Sequence, residues 1–254
     1  MFISSRVPLR RAGPAPVIAH FSALAKLTPP EVEILAGLND WRWEPAGSEL
    51  VRDRTILSPR VLVSGWAARV RWLEDGRRQI IGLILPGDGI GLCRRPQPLA
   101  LCPVLALTPI QTLDAAPIMR AIEGAPDFAR LSHAVNVAAA MDEAWLMDQV
   151  VRLGRLTAYE RLAHLILEIR ARLKALGPDV DGSIPFPLTQ EMLADATGLS
   201  MVHVNRTLQQ LRREKLIELG HGRLKILDLQ ALVDLSDFRE PEPDAWIFQG
   251  QRQL

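Results

Sequence analysis

The segment GLSMVHVNRTLQQLRREKLIEL, residues 198–219, sets Val202, Asn205, Arg206, Gln209 and Arg213 at the three- and four-residue steps of one helical face. At 100° per residue Val204, Leu208 and Leu211 fall within an arc of about 60° that must face a core. That turns Val202, Arg206, Gln209 and Arg213 outward, with His203 and Asn205 on the two flanks. These side chains could read base-pair edges: arginine pairs with guanine, asparagine with adenine, and a small apolar group meets a thymine methyl. A lone exposed valine is common on solvated helices, so Val202 carries weight only together with its neighbours.

The preceding stretch TQEMLADATGL, residues 189–199, predicts a short helix opened by Thr189 as N-cap and closed by a tight turn at Gly198. Ser200 can then cap the second helix, giving helix, glycine turn, helix. Behind it, KLIELGHGRLKILD holds two β-prone segments joined by Gly220-His221-Gly222. A hairpin there is a wing, with Arg223 and Lys225 placed where adjacent phosphates would run. A plain edge hairpin that closes the domain fits the same pattern. From Met201 to Ile226 six basic residues stand against two acids, whereas the whole chain has 30 Lys+Arg, 29 Asp+Glu and a net charge of +1. Phosphate contacts would supply affinity and salt dependence, base contacts the choice of sequence.

Upstream elements must carry this reader. The chain has 254 residues, 48% of them hydrophobic, enough for one large or two modest domains. Residues 1–20 carry prolines and basic residues without periodicity and read as a poorly ordered tail. LTPPEVEILAGL (27–38) predicts a short helix capped by Thr28. From Trp41 to Ala125 short β-prone runs alternate with the turn signals EPAGS, EDGRR and LPGDG, which predicts an antiparallel roll or small barrel; Glu74-Asp75-Gly76 is the clearest hairpin turn.

The segment 128–156 then predicts one long helix, with an apolar seam at Leu131, Val135, Ala138, Met141 and Trp145. A seam of that length points to a partner helix ahead of a core helix packed on its own chain. A second helix (158–177) stops at Gly177-Pro178, and DVDGSIPFPL reads as a loop or small hairpin. The expected α+β organisation is a tail (1–20), an antiparallel β-roll domain (21–125), a dimerisation helix (126–156), a winged helix-turn-helix (157–240) and a C-terminal tail (241–254).

Two cysteines, Cys93 and Cys102, are too few for a disulfide framework, and no charged segment followed by a long apolar run reads as a signal peptide. No stretch approaches the roughly 18 uninterrupted apolar residues of a membrane helix. The expectation is a cytoplasmic protein with no membrane contact. The five histidines (His20, His133, His164, His203, His221) are scattered outside the roll, and no nucleophile elbow, phosphate loop or Cys/His pattern occurs, which argues against an enzyme. His164, near Leu162 and Leu165, reads as a packing histidine rather than a ligand.

LTQEMLADATGLSMVHVNRTLQQLRREKLIELGHGRLKILDLQAL resembles the winged helix-turn-helix of bacterial Crp/Fnr regulators, and VSGWAARVRWLEDGRRQIIGLILPGDGIGL resembles their cyclic-nucleotide-binding-like sensor roll. With the long helix between them, the likeness spans roughly residues 20–240. It implies a homodimer paired through the central helix, a roll that is a sensor domain of jelly-roll type receiving a signal, and a palindromic double-stranded DNA site, with RNA polymerase as a candidate partner. By resemblance, Met201, Val202, His203, Asn205 and Arg206 fall at base-reading positions, and Thr189 and Gln190 at a helix start that touches phosphate.

The roll departs from the ligand-binding patterns of that family. The segment GLCRRPQPLALCPVLAL has Arg94 and Arg95 as candidate ligand contacts, but no glutamate lies between Asp88 and Asp114 and neither arginine precedes a hydroxyl residue. That argues against a cyclic nucleotide. Two cysteines do not make the four-thiolate set of an iron-sulfur cluster, and a roll without histidine lacks that axial ligand for haem. Cys93 and Cys102 read as semi-buried structural thiols ahead of a redox pair. Several family members carry glutamate where this chain has Val202, so their operator sequence does not transfer. The effector stays open, and so does the alternative of a dimeric interaction module that keeps the fold without binding DNA.

Overall fold

The computed structural model describes residues 11–94, 98–124, 126–177 and 182–242. Two helices, α1 (Ala15–Leu24) and α2 (Pro29–Ala36), come first. The reading of residues 1–20 as a tail is corrected over their second half: Val17 and Phe21 of α1 are fully buried against Leu35, Val61, Leu113 and Leu131. Residues 1–10 lie outside the described residues. Prolines hid the helix, yet Pro14 and Pro16 stand at its cap and first turn, where a missing N–H breaks no helical hydrogen bond. At α2 the Thr28 amide donates to Glu31 Oε2 at 2.7 Å, and Glu31 Oε1 accepts from the Leu131 amide at 2.8 Å, so one carboxylate seats two helix starts.

The roll has eight strands: β1 (Trp41–Glu44), β2 (Glu49–Val51), β3 (Arg60–Ser64), β4 (Ala67–Trp72), β5 (Arg78–Ile84), β6 (Gly89–Ile90), β7 (Val104–Ala106) and β8 (Ile110–Asp114). They form two four-stranded antiparallel sheets, ordered β1-β8-β3-β6 and β2-β7-β4-β5. Leu62, Ala67, Ile84, Val104 and Ile110 form a core that draws on both sheets. The β4–β5 hairpin turns through Glu74-Asp75-Gly76, with Gly76 in the left-handed region at φ 84°. The β texture expected up to Ala125 ends sooner, because α3 (Ala116–Gly124) buries Ile118, Met119 and Ile122 against the N-terminal helices' core.

The long helix is α4 (Ala129–Arg155), followed by α5 (Ala158–Leu173), which Thr157 and Glu160 open with a capping box. The seam on α4 faces inward: Leu131, Val135 and Trp145 are buried in this chain's own cores, with Ala138 and Met141 packed against them. A different stripe is open, made of Leu146, Met147, Val150 and Val151, each 47–66% exposed. Periodicity identified an apolar face but not which of the two faces lacks a neighbour.

The C-terminal part comprises β9 (Ser183–Pro185), α6 (Gln190–Thr197), α7 (Met201–Arg213), β10 (Ile217–Gly220), β11 (Arg223–Ile226) and α8 (Leu229–Ser236). DVDGSIPFPL supplies β9, which adds to the wing in the order β10-β11-β9; residues 178–181 lie outside the described residues. His164 is buried, accepts from Arg152 Nε at 3.3 Å and meets the Phe238 ring edge-on, which is the packing role expected of it. Among the described residues no helix is long and apolar enough to cross a membrane.

Candidate nucleic-acid interface

Local capping builds the helix pair. Thr189 Oγ1 accepts from the Met192 amide at 3.2 Å, and Ser200 Oγ accepts from the His203 amide at 3.3 Å. Between the helices Gly198 holds φ 66° and ψ 29°, a left-handed turn that a side chain would strain. Thr189, Gln190 and Ser200 are all exposed at the helix starts.

α7 is divided by its own periodicity. Val204 and Leu211 are fully buried and Leu208 nearly so, while Met201, Val202, His203, Asn205, Arg206, Gln209 and Arg213 are exposed. Val202 is 60% exposed and Met201 beside it 56%, on the face that also carries Asn205 and Arg206. Gln209 Nε2 donates to Asn205 Oδ1 at 3.1 Å, which pre-orients the two amides along the open face. At the far end the Tyr159 hydroxyl donates to Glu214 Oε2, tying the end of α7 to α5. Burial and the adjacent carboxylate push the Tyr159 phenol well above its ordinary range, so it stays a donor.

In the wing, β10 and β11 pair from Ile217↔Ile226 to Gly220↔Arg223, and His221 (φ 52°) and Gly222 (φ 71°) make the turn. Two successive left-handed residues match the twist of a tight hairpin. Arg223 is braced: Nε donates to Ser183 Oγ at 2.6 Å and Nη2 to Ser183 O at 2.7 Å. Lys225, half-buried, follows on the same strand. Arg212, Lys215, His221, Arg223 and Lys225 line one open groove. Arg212, Lys215 and His221 were not among the candidate residues. Their signal was available, since cations in a last helical turn and at a hairpin tip cluster in space.

The other candidates lie elsewhere. Arg94 Nη2 donates to Ile122 O and to Ser132 Oγ, both at 2.8 Å, so it bonds to the end of α3 and the start of α4. Arg95 lies outside the described residues. Cys93 and Cys102 are half-buried and not in a disulfide, and burial pushes the Cys102 thiol up.

Residues 160–235 match the Crp-like helix-turn-helix domain. The nitrogen fixation regulation protein FixK of Bradyrhizobium diazoefficiens is 34% identical over 156 residues, which cover 61% of this chain and 64% of FixK. This chain thus spans somewhat less than two thirds of that relative. The transcriptional activatory protein AadR of Rhodopseudomonas palustris is 30% identical over 187 residues, covering 74% of this chain and 77% of AadR. In fold, the structure of FixK2 from Bradyrhizobium japonicum superimposes with a TM-score of 0.67 at 24% identity, covering 77% of this chain and 96% of that one.

Proposed function

Since this chain belongs to the Crp/Fnr family of transcription regulators, we propose that it binds a palindromic DNA site as a homodimer, with α7 of each subunit in successive major grooves. The observation that carries this reading is α7 itself, whose inner face is buried at Val204 and Leu211 and whose outer face presents Val202, Asn205 and Arg206 to solvent. Met201, Val202, His203, Asn205, Arg206 and Gln209 would meet base edges, while Thr189, Gln190, Ser200, Arg213, Arg223 and Lys225 would meet phosphates. Two reading helices need a separation of about 34 Å, one turn of DNA, to act together.

The dimer contact falls to the open stripe of α4. Leu146, Met147, Val150 and Val151 recur at helical spacing, and a twofold axis along them would bury the same apolar strip on both subunits. The roll then acts as sensor or as scaffold for that helix pair. RNA polymerase is the partner such a dimer would engage once seated near a promoter. A regulator of this kind performs no catalysis.

The test is selection of bound duplexes from a random pool by the purified protein, repeated with Arg206→Ala. A palindromic consensus that the variant loses supports the reading and shows that no effector is obligatory. If a folded dimer enriches nothing with or without candidate small molecules, the interaction-module alternative takes its place.

A further inference from the structure

A helix leaves its last carbonyls without intrahelical partners, and a short chain turn or water usually meets them. In α6 the Ala194 carbonyl is met in that way, by the Leu199 amide at 3.2 Å. The next three are met by side chains from three other elements. Gln79 Nε2 of β5 donates to Asp195 O at 2.7 Å, Gln149 Nε2 of α4 to Ala196 O at 2.8 Å, and Arg161 Nη1 of α5 to Thr197 O at 3.1 Å.

Beside them Arg78 clamps the Asp195 carboxylate through Nε at 2.8 Å and Nη2 at 2.5 Å, with both side chains more than four-fifths buried. The Arg78 guanidinium lies 5.4 Å from the ring centroid of Trp72 at the end of β4. Both glutamines also donate to a single acceptor, Ile80 O, at 2.9 and 3.3 Å. The β4–β5 hairpin of the roll, the long helix and the first helix of the reader therefore share one junction.

Only three residues separate α6 from α7, and one of them is Gly198. The direction of α7 thus follows the end of α6, which the junction ties to the roll. The reading face of α7 stays open to solvent in this arrangement, so the contact orients the reader and does not mask it. We infer that Arg78, Gln79 and Gln149 are positioning residues for DNA recognition: they fix the two α7 helices of a dimer at the spacing a palindrome requires. This inference rests on the proposed regulator reading for its DNA consequence, but not for its mechanical one.

The experiment uses the full chain and the double variant Arg78→Ala/Gln79→Leu, read in two ways. Nitroxide labels at Glu74→Cys and Glu218→Cys, in a Cys93→Ser/Cys102→Ser background diluted with unlabelled chain, report the distance from hairpin tip to wing without DNA. The intact junction gives one narrow distribution, and the double variant a broadened or displaced one. Affinity for the selected palindrome falls about tenfold, as expected for losing one charged hydrogen bond's worth of preorganisation, while affinity for an isolated half-site stays within about twofold. Identical distance distributions overturn the inference. So does a parallel loss on half-site and palindrome, the mark of a merely destabilised reader. If the parent chain binds no duplex while the distances still broaden, the junction stands and the regulator reading fails.

Discussion

Arg152 near the end of α4 donates through Nη2 to Oε2 of Glu168 on α5, and both side chains are almost wholly withdrawn from solvent. Glu168 also accepts from Arg172 Nη1 at 3.2 Å, and Arg172 Nη2 reaches Asp88 Oδ2 at 2.5 Å and Leu83 O at 3.0 Å in the roll. Charges of alternating sign thus run from the long helix through α5 to the turn after β5. Burial acts to raise the Glu168 carboxyl, and the Arg152 and Arg172 guanidiniums outweigh it, holding the carboxyl below the ordinary carboxylate range.

Removing Glu168 leaves the buried Arg152 guanidinium without its carboxylate and Arg172 with Asp88 alone. Glu168→Ala is expected to destabilise the chain by about 3–5 kcal/mol, the scale for breaking a buried pair from one side. Urea unfolding followed by circular dichroism measures it. A loss under about 1 kcal/mol, the scale of an exposed pair, would show that water reaches the cluster.

The same cluster makes stability depend on pH. Burial first, and the Arg152 charge second, lower the His164 imidazole from its ordinary value of 6.5 to about 4. A histidine with a depressed folded pKa contributes stability that is complete above its unfolded value and is lost as pH falls towards the folded one. Stability should therefore decline by about 3 kcal/mol from pH 6.5 to 4 on account of this residue. Glu168, also depressed, adds a further loss below the ordinary carboxylate range. His164→Leu should flatten the upper limb and leave the lower one, as read by thermal unfolding at half-unit pH steps. An unchanged slope between pH 6.5 and 5 would remove His164 from this role.

The turn of the reader sets a conformational demand. A Cβ on Gly198 would meet Leu153 Cδ2 at 3.3 Å, on top of the strain of its positive φ. Gly198→Ala should cost about 1–2 kcal/mol, and Gly198→Asn less, because asparagine tolerates the left-handed region better. Thermal melts of the two variants rank them, and the reverse order would mean that contact with Leu153, rather than backbone strain, decides the position.

Much of the reader was legible in the sequence because its signals are local. Thr189, Gly198 and Ser200 act on residues within four positions of themselves, and the two faces of α7 follow from helical periodicity alone. Where a partner is distant, the sequence carries no local mark of it. β9 has three residues and pairs with β11, so Pro185 meets Arg223 from 38 positions away. Gln79 caps a carbonyl 116 positions along the chain. α4 carries two apolar faces, and nothing in their spacing says that Leu131 and Trp145 pack inward while Met147 and Val150 stay open. α1 was masked by its prolines, although these sit where a helix accepts them.

The open stripe of α4 predicts how the chain associates. Val150→Glu/Val151→Glu puts charge on the 66% and 51% exposed valines, where it harms no core but blocks burial against a second copy. Sedimentation should shift from dimer to monomer with the thermal midpoint of the isolated fold little changed. A variant that remains dimeric would move the interface to another face.

Base and phosphate contacts can be separated by salt. Arg206 stands among Val202 and Asn205 on the open face of α7, whereas Arg223 is braced by Ser183 on the wing. An arginine on a base edge discriminates one base from another, so Arg206→Ala should lower affinity for the selected site by about 1–3 kcal/mol and relax the preference at one position of each half-site. An arginine on phosphate has no sequence to read. Arg223→Ala should weaken all duplexes alike and reduce the slope of log K against log salt by about one for each subunit. Titrations of cognate and scrambled duplexes at several salt concentrations carry both readouts. If Arg206→Ala lowers cognate and scrambled binding equally, with a shallower slope, then α7 lies along the backbone rather than in the groove, and base reading must come from another part of the chain.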